Sequence, residues 1–264
     1  MKDPVRWIVA AVIACAMAAA FYFWRQHAGD APQSAPVART AVAPKPEAEP
    51  APQIRFPVPQ AGDSPSLPAL EQSDTSMRET LASLFGRSSF EALFSQTNIV
   101  RRIVATVDNL PREKAALRLM PVRPAAGPFL ATGDGEHRVI GAHNAERYLP
   151  YILMAESVDT GKLVAAYVRN YPLFQQAYGE LGYPSGYFND RLVQVIDHLL
   201  AAPDRQEPVE LVQRKVLYEF ADPELEARSA GQKIMMRIGA GNAARVKARL
   251  RDLRRELTGR TPKS

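Results

Sequence analysis

The chain has 264 residues, 46% hydrophobic and 23% charged, enough for one globular domain with appendages. Its 33 Lys and Arg against 28 Asp and Glu leave a formal charge of +5, too small and too dispersed an excess to argue for nucleic acid as a partner. A single cysteine, Cys15, excludes an intrachain disulfide and a cysteine-based zinc site.

The first segment is apolar. From Trp7 to Trp24, WIVAAVIACAMAAAFYFW carries no charge. As a helix at 1.5 Å per residue it reaches roughly 27 Å, close to the hydrocarbon core of a bilayer. Trp7 at one end and Phe21 to Trp24 at the other suit the two membrane interfaces. The pattern predicts one uncleaved anchor within residues 1–27, crossing the cytoplasmic membrane through residues 7–24. Two alternatives stand beside it. Cleavage after Ala18–Ala20 would leave an aromatic new terminus, and lipidation at Cys15 would have only a short apolar run before it. Lys2 and Arg6 on one side and Arg25 and Arg39 on the other give a marginal charge bias. The favoured orientation is a signal-anchor whose C-terminal part is translocated.

Residues 28–72 hold ten of the chain's 22 prolines, with Ala, Gln, Ser and Glu between them. Few large apolar residues occur there, and repeated proline favours extended polyproline geometry, so the segment reads as a linker. As coil it would span roughly 40 Å and fully extended about 140 Å.

From Ser73 to Ser264 the composition is globular, and the periodicity predicts a mainly α-helical domain with one small β-hairpin. Met77–Phe85 and Phe90–Phe94 read as short helices parted by Gly86-Arg87. Ile99, Val100, Ile103, Val104 and Val107 mark an amphipathic helix that Pro111 ends. PFLATGDGEHRVIG reads as the hairpin, turning at Gly133-Asp134-Gly135. Asn144 is placed to cap a helix over Ala145–Glu156, and Asp159 or Thr160 to cap the next, on which Pro172 predicts a kink or a split. Phe188 to Leu200 forms another helix, stopped by Pro203. Val209–Phe220 is left between short strands and loop. Asp222-Pro223 opens a helix expected to run through Met236.

Gly239, Gly241 and Ala244 fall on G-x-G-x-x-A spacing, the form of a dinucleotide-binding turn. That turn needs a strand before it and a second strand after the helix, and only about 20 residues remain, all on helical spacing. Gly239 instead fits a position after a helix C-terminus, and Asn242 fits an N-cap. The expectation is a corner between two helices, with no nucleotide and no other cofactor.

Two blocks, YFNDRLVQVIDHLLAAP and QRKVLYEFADPELEARSAGQKIMMRIGAGNAARVKARLRDLR, resemble a bacterial family of single-span membrane proteins, a domain of unknown function numbered 3014. The resemblance runs from about Met77 to Leu257. It implies an envelope protein; together with the anchor and orientation read above, the expected placement is the bacterial inner membrane, single-pass, with the C-terminal domain in the periplasm. It brings no assigned activity and no functional residues.

Chemistry must then come from the residues. His137, His143 and Glu146 are the only local group resembling a metal site, and they lack the spacing of a zinc-hydrolase motif, so no metal is expected. Asp190 and Asp197 are two helical turns apart, roughly 10 Å, wider than the usual carboxylate pair of a glycosidase. Glu180 or Asp222 would have to complete such a pair through folding. Tyr167, Tyr171, Phe174 and Tyr178 share a helical stripe and read as core. Tyr183 and Tyr187 flank the turn Gly182-Tyr-Pro-Ser-Gly186 beside Asp190 and Arg191, and these four residues form the candidate binding surface; the alternative is that the tyrosines fold back and seal the core. The basic residues Arg245, Lys247, Arg249, Arg251, Arg254 and Arg255 read as a solvated face, or as a contact for an anionic envelope polymer or lipid headgroups. The function expected is an envelope interaction or scaffold domain with an unidentified protein or polymer as partner. A hydrolase acting on cell-wall or other envelope polymers is the alternative.

Overall fold

The computed structural model describes residues 53–59, 66–134, 137–205, 208–214 and 216–259, all belonging to one unit, Ala51–Ser264. The expected anchor at residues 7–24 lies outside the described residues, among which no helix is long and apolar enough to cross a membrane. The fold is mainly helical with a small four-stranded antiparallel sheet.

Helices α1 (Asp74–Phe85) and α2 (Arg87–Leu93) are parted by Gly86, whose φ of 81° is a conformation that favours glycine. Helix α3 (Ile99–Asn109) buries Ile99, Val100, Val104 and Asp108 along one face. Its free N-terminal amides are met from another element: the Asp74 carboxylate accepts from the backbone N–H of Asn98 and Ile99, at 2.7 and 2.9 Å. Packing begins upstream of Ser73. Leu70, in a 3-10 turn over Leu70–Gln72, is buried in the same cluster as Met77, Phe90, Ile99 and Phe174, and Leu67 packs against it.

The expected hairpin is half of a larger sheet. Strand β1 (Ala131–Thr132) pairs with β2 (Arg138–Ile140), β2 with β3 (Glu210–Val212), and β3 with β4 (Glu219–Phe220), in that spatial order. The register sets Ala131 opposite Ile140, Arg138 opposite Leu211, and Leu211 opposite Phe220. Ile140, Leu211 and Phe220 are buried with Leu225 and Met236, and that apolar face ties the two hairpins together. At the first turn a Cβ on Gly133 would lie 2.0 Å from the His137 carbonyl oxygen, so the close approach of the chain requires glycine.

Asn144 does not cap a helix. The backbone runs as a 3-10 turn over Ala142–Tyr148 and becomes helix α4 at Leu149–Ser157, where Pro150 occupies a first-turn position that needs no N–H. Asn144 is fully buried and bonds the sheet to the last third of the chain: its Oδ1 accepts from the Leu130 N–H, and its Nδ2 donates to the Arg237 carbonyl. Helix α5 (Thr160–Glu180) is capped by Asp159, which accepts from the Lys162 N–H at 2.9 Å. It continues through Pro172 without splitting. Leu173, Phe174, Ala177 and Tyr178 are buried beyond the proline and Val164 before it, so packing on both sides holds the helix together.

Helix α6 (Phe188–Leu200) follows the expected span. The single helix expected from Pro223 to Met236 is two, α7 (Pro223–Glu226) and α8 (Ala230–Arg237), because Ser229 starts a new N-terminus by accepting from the Gln232 N–H at 3.2 Å. Gly239, with φ 89°, makes the corner into α9 (Ala240–Gly259). The glycines that imitate a dinucleotide turn thus join two helices. Asn242 is buried in the first turn of α9 and donates to the carbonyls of Ala145 and Ile238; it is not the N-cap.

Most of the basic residues of α9 are paired within the protein, several of them at its surface. Arg245 pairs with Glu156, Arg254 with Asp197 and Arg255 with Asp252, and Arg249 donates to the Val158 carbonyl. Lys247 is buried and donates to the Ala202 carbonyl and the Asp204 carboxylate. Apart from the Arg255–Asp252 pair within α9, these bonds fasten α9 to the end of α4, to α6 and to the segment after α6.

Candidate functional site

The corner between α5 and α6 carries the residues singled out in the sequence. Gln175, on α5, fixes the turn that joins the helices. Its Nε2 donates to the Gly186 carbonyl at 2.7 Å, and its Oε1 accepts from the Phe188 N–H at 2.9 Å. A Cβ on Gly186 would lie 2.9 Å from the Tyr178 ring, so the turn presses directly on α5.

Tyr183 is half-buried, with its ring stacked on Tyr178 at 4.7 Å and packed against the main core cluster. Its hydroxyl reaches the cleft, donating to Asp108 Oδ2 at 3.3 Å and accepting from Arg112 Nη2 at 3.2 Å. Tyr183 therefore combines the two alternatives: its ring closes the core and its hydroxyl faces a polar site. Burial pushes the Tyr178 hydroxyl above its ordinary range, with the nearby Arg191 opposing the shift.

Asp108 is the center of that polar site. It is 1% exposed, on the last turn of α3. Arg191 donates through Nε to Asp108 Oδ1 at 3.1 Å and through Nη2 to the Asp108 carbonyl at 2.9 Å. Arg112 donates to Asp108 Oδ2 at 2.5 Å. A carboxylate taken out of water needs such charged donors, and here one comes from α6 and the other from the segment after α3. Around it opens a cleft of about 560 Å³, lined in part by Tyr183, Tyr187, Asp190, Arg191, Gln194 and Asp197. All four residues of the expected binding surface, Tyr183, Tyr187, Asp190 and Arg191, line this one cleft.

The remaining wall comes from the sequence read as linker. Residues 53–59 lie along the start of α6, bending at Arg55 and Phe56. The bend turns two consecutive backbone N–H groups toward one carboxylate: Arg55 N donates to Asp190 Oδ2 at 2.9 Å, and Phe56 N to Asp190 Oδ1 at 2.8 Å. Asn189, buried at 2%, donates from Nδ2 to the Phe56 carbonyl at 2.8 Å, while its Oδ1 accepts from the Tyr167 hydroxyl at 3.1 Å. The Phe56 ring packs on the cluster of Val164, Val193, Ile196 and Leu257. Asp190 thus holds a strap of the chain's own upstream segment, as well as lying near the positive end of the α6 dipole.

Of the other sequence candidates, Asp197 lines this same cleft and the rest lie apart. His143 Nδ1 and Glu146 Oε1 are 2.8 Å apart and both exposed; the bond to Glu146 raises the imidazole pKa. Among the described residues no group of three His, Cys, Asp or Glu is placed to hold a metal ion. Asp197 is paired with Arg254, Asp222 caps α7 and pairs with Arg205, and Glu180 pairs with Arg101. His198 Nε2 lies 2.7 Å from the Ser229 hydroxyl, and burial lowers its pKa, with Arg191 adding to the shift. Asp108, Asn189 and the Arg55-Phe56 backbone escaped sequence reasoning. Only the Asp108, Arg112 spacing at i, i+4 offered a local signal.

No curated protein and no solved structure matches the chain. A family comparison does match residues 99–254, more than half of its length. That stretch includes Asp108, the α5–α6 corner and most of α9. The chain belongs to the family described as "Protein of unknown function (DUF3014)".

Proposed function

We propose that this chain is an interaction domain of the bacterial envelope, tethered to the inner membrane through residues 7–24 and exposed to the periplasm. Its recognition surface is the cleft at the α5–α6 corner, and its partner presents a short bent peptide there. The observation that carries this reading is the strap: one carboxylate accepts two consecutive backbone N–H groups, and a buried asparagine takes the next carbonyl. Main-chain bonds of this kind grip a peptide with little regard to its sequence, and the apolar seat of Phe56 adds a preference for an aromatic side chain. The tether in cis occupies the site at an effective concentration of roughly mM, so a partner must offer more contacts than the strap does. The remaining volume of the cleft, beside Tyr187 and Gln194, supplies room for them.

The test uses the full chain in its own membranes, with a photo-crosslinking residue at exposed Gln194. A discrete protein adduct is expected, diminished by excess peptide of sequence 53–59 and lost in Asp190→Ala. Adducts indifferent to Asp190→Ala would contradict the reading. A C-terminal phosphatase fusion checks the side of the membrane; it is expected to be active, and activity of a cytoplasmic reporter alone would overturn the periplasmic placement.

A further inference from the structure

The helical core is divided. One cluster gathers Met77, Phe174 and Phe188 with neighbours from α1, α3 and α5, and another gathers Val164, Ile196 and Leu257 from α5, α6 and α9. Between them lies an apolar pocket of about 330 Å³, partly open to solvent, with walls from α1, α3, α5, α6 and α9. Its lining is almost wholly Leu, Val, Ile, Ala, Met and Phe, and includes no Lys, Arg, Asp, Glu or His. Of the polar residues that touch it, Tyr167 gives its hydroxyl to Asn189 and Asn170 gives its amide to the Ala166 carbonyl.

An apolar cavity of about 150 Å³ already stays dry and binds benzene, and this one is more than twice that size. Water filling it would find too few hydrogen-bond partners. The occupant the chemistry calls for is therefore hydrocarbon. Its shape follows from the lining on α5, which runs from Leu163 to Phe174, about 16 Å along the axis. The volume spread over that length gives a mean section of about 20 Å², the girth of one polymethylene chain. At about 30 Å³ for each water-sized unit, the cavity takes roughly ten methylenes. With no charged group in the wall, a polar head must stay outside, and the chain enters tail first.

We propose that this cavity binds a single fatty acyl chain. The proposal is independent of the peptide cleft, which has its own lining. The ligand chemistry is shared by a free fatty acid and by one chain of a membrane lipid, and the experiment separates them. Membranes containing the full chain are treated with dodecanoic acid carrying a diazirine on its tail, or with a phospholipid bearing the same group, and labelled residues are mapped by mass spectrometry. Labelling is expected at cavity residues such as Met77, Leu199 and Leu253. Labelling by the acid alone identifies a free fatty acid, and labelling by both admits the lipid. In Ala166→Phe, and in the milder Ala166→Leu, the added side chain fills the cavity. Cavity labelling is then expected to fall at least tenfold while the melting temperature holds or rises. Labels confined to residues 7–24 in the unmodified chain would overturn the proposal. So would equal cavity labelling in an Ala166→Phe protein that remains folded.

Discussion

Asp108 shows how one residue sets the character of the cleft. Its carboxylate is buried, while Arg191 is about one-fifth exposed and Arg112 more than half exposed. The two arginines therefore differ in worth. Removing the carboxylate leaves Arg191 with neither its partner nor full hydration, and a broken buried pair costs about 3 kcal/mol or more. An exposed partner contributes far less. Urea unfolding of the full chain, followed by circular dichroism, is expected to show Asp108→Ala destabilised by about 3 kcal/mol and Arg112→Ala by a much smaller amount. Equal losses for the two variants would mean that the ion pair is not buried as described.

At the scale of elements, α8 is held by close approach. The Ala230 and Gly231 N–H groups donate to the Arg112 and Leu110 carbonyls, so the start of α8 meets the segment that ends α3. A Cβ on Gly231 would lie 2.6 Å from a Leu199 methyl and 3.0 Å from the Leu110 carbonyl oxygen. Gly231→Ala would improve helix propensity by about 1 kcal/mol, but overpacking costs about 1–3 kcal/mol and has a backbone oxygen to displace. A net loss of stability is expected, and a rise in the urea midpoint would contradict it. The long helices were legible in the sequence because α3, α5, α6 and α9 each repeat apolar residues at helical spacing over several turns. Strands β3 and β4 fall within Val209–Phe220, left open there between short strands and loop, since two or three residues cannot display a period of two. The break at Ser229 was hidden because the apolar pattern runs on past a residue whose cap is set by local geometry. The candidate cleft was half legible. Gly182, Pro184 and Gly186 marked the turn and its tyrosines, but Asp108 and Phe56 reach the site only through tertiary packing, which no local pattern encodes.

In the molecule as a whole, the residues 53–59 and the α5–α6 corner form one system. The strap packs a half-buried aromatic ring and satisfies Asp190, so it stabilises the corner while filling the place that a partner segment would take. On the proposed reading, such a device would couple binding to the state of the upstream segment: a partner that displaced the strap would also free residues between the domain and the expected membrane anchor. The coupling depends on a strap that is docked yet releasable, which places it among the least stable parts of the structure. Deuterium uptake at the Arg55 and Phe56 amides of the full chain measures this most directly. Slow uptake is predicted in the unmodified protein, rising to the rate of free coil in Asp190→Ala and on addition of excess peptide of sequence 53–59. Coil-like uptake in the unmodified chain, or slow uptake that neither the substitution nor the peptide changes, would contradict the account.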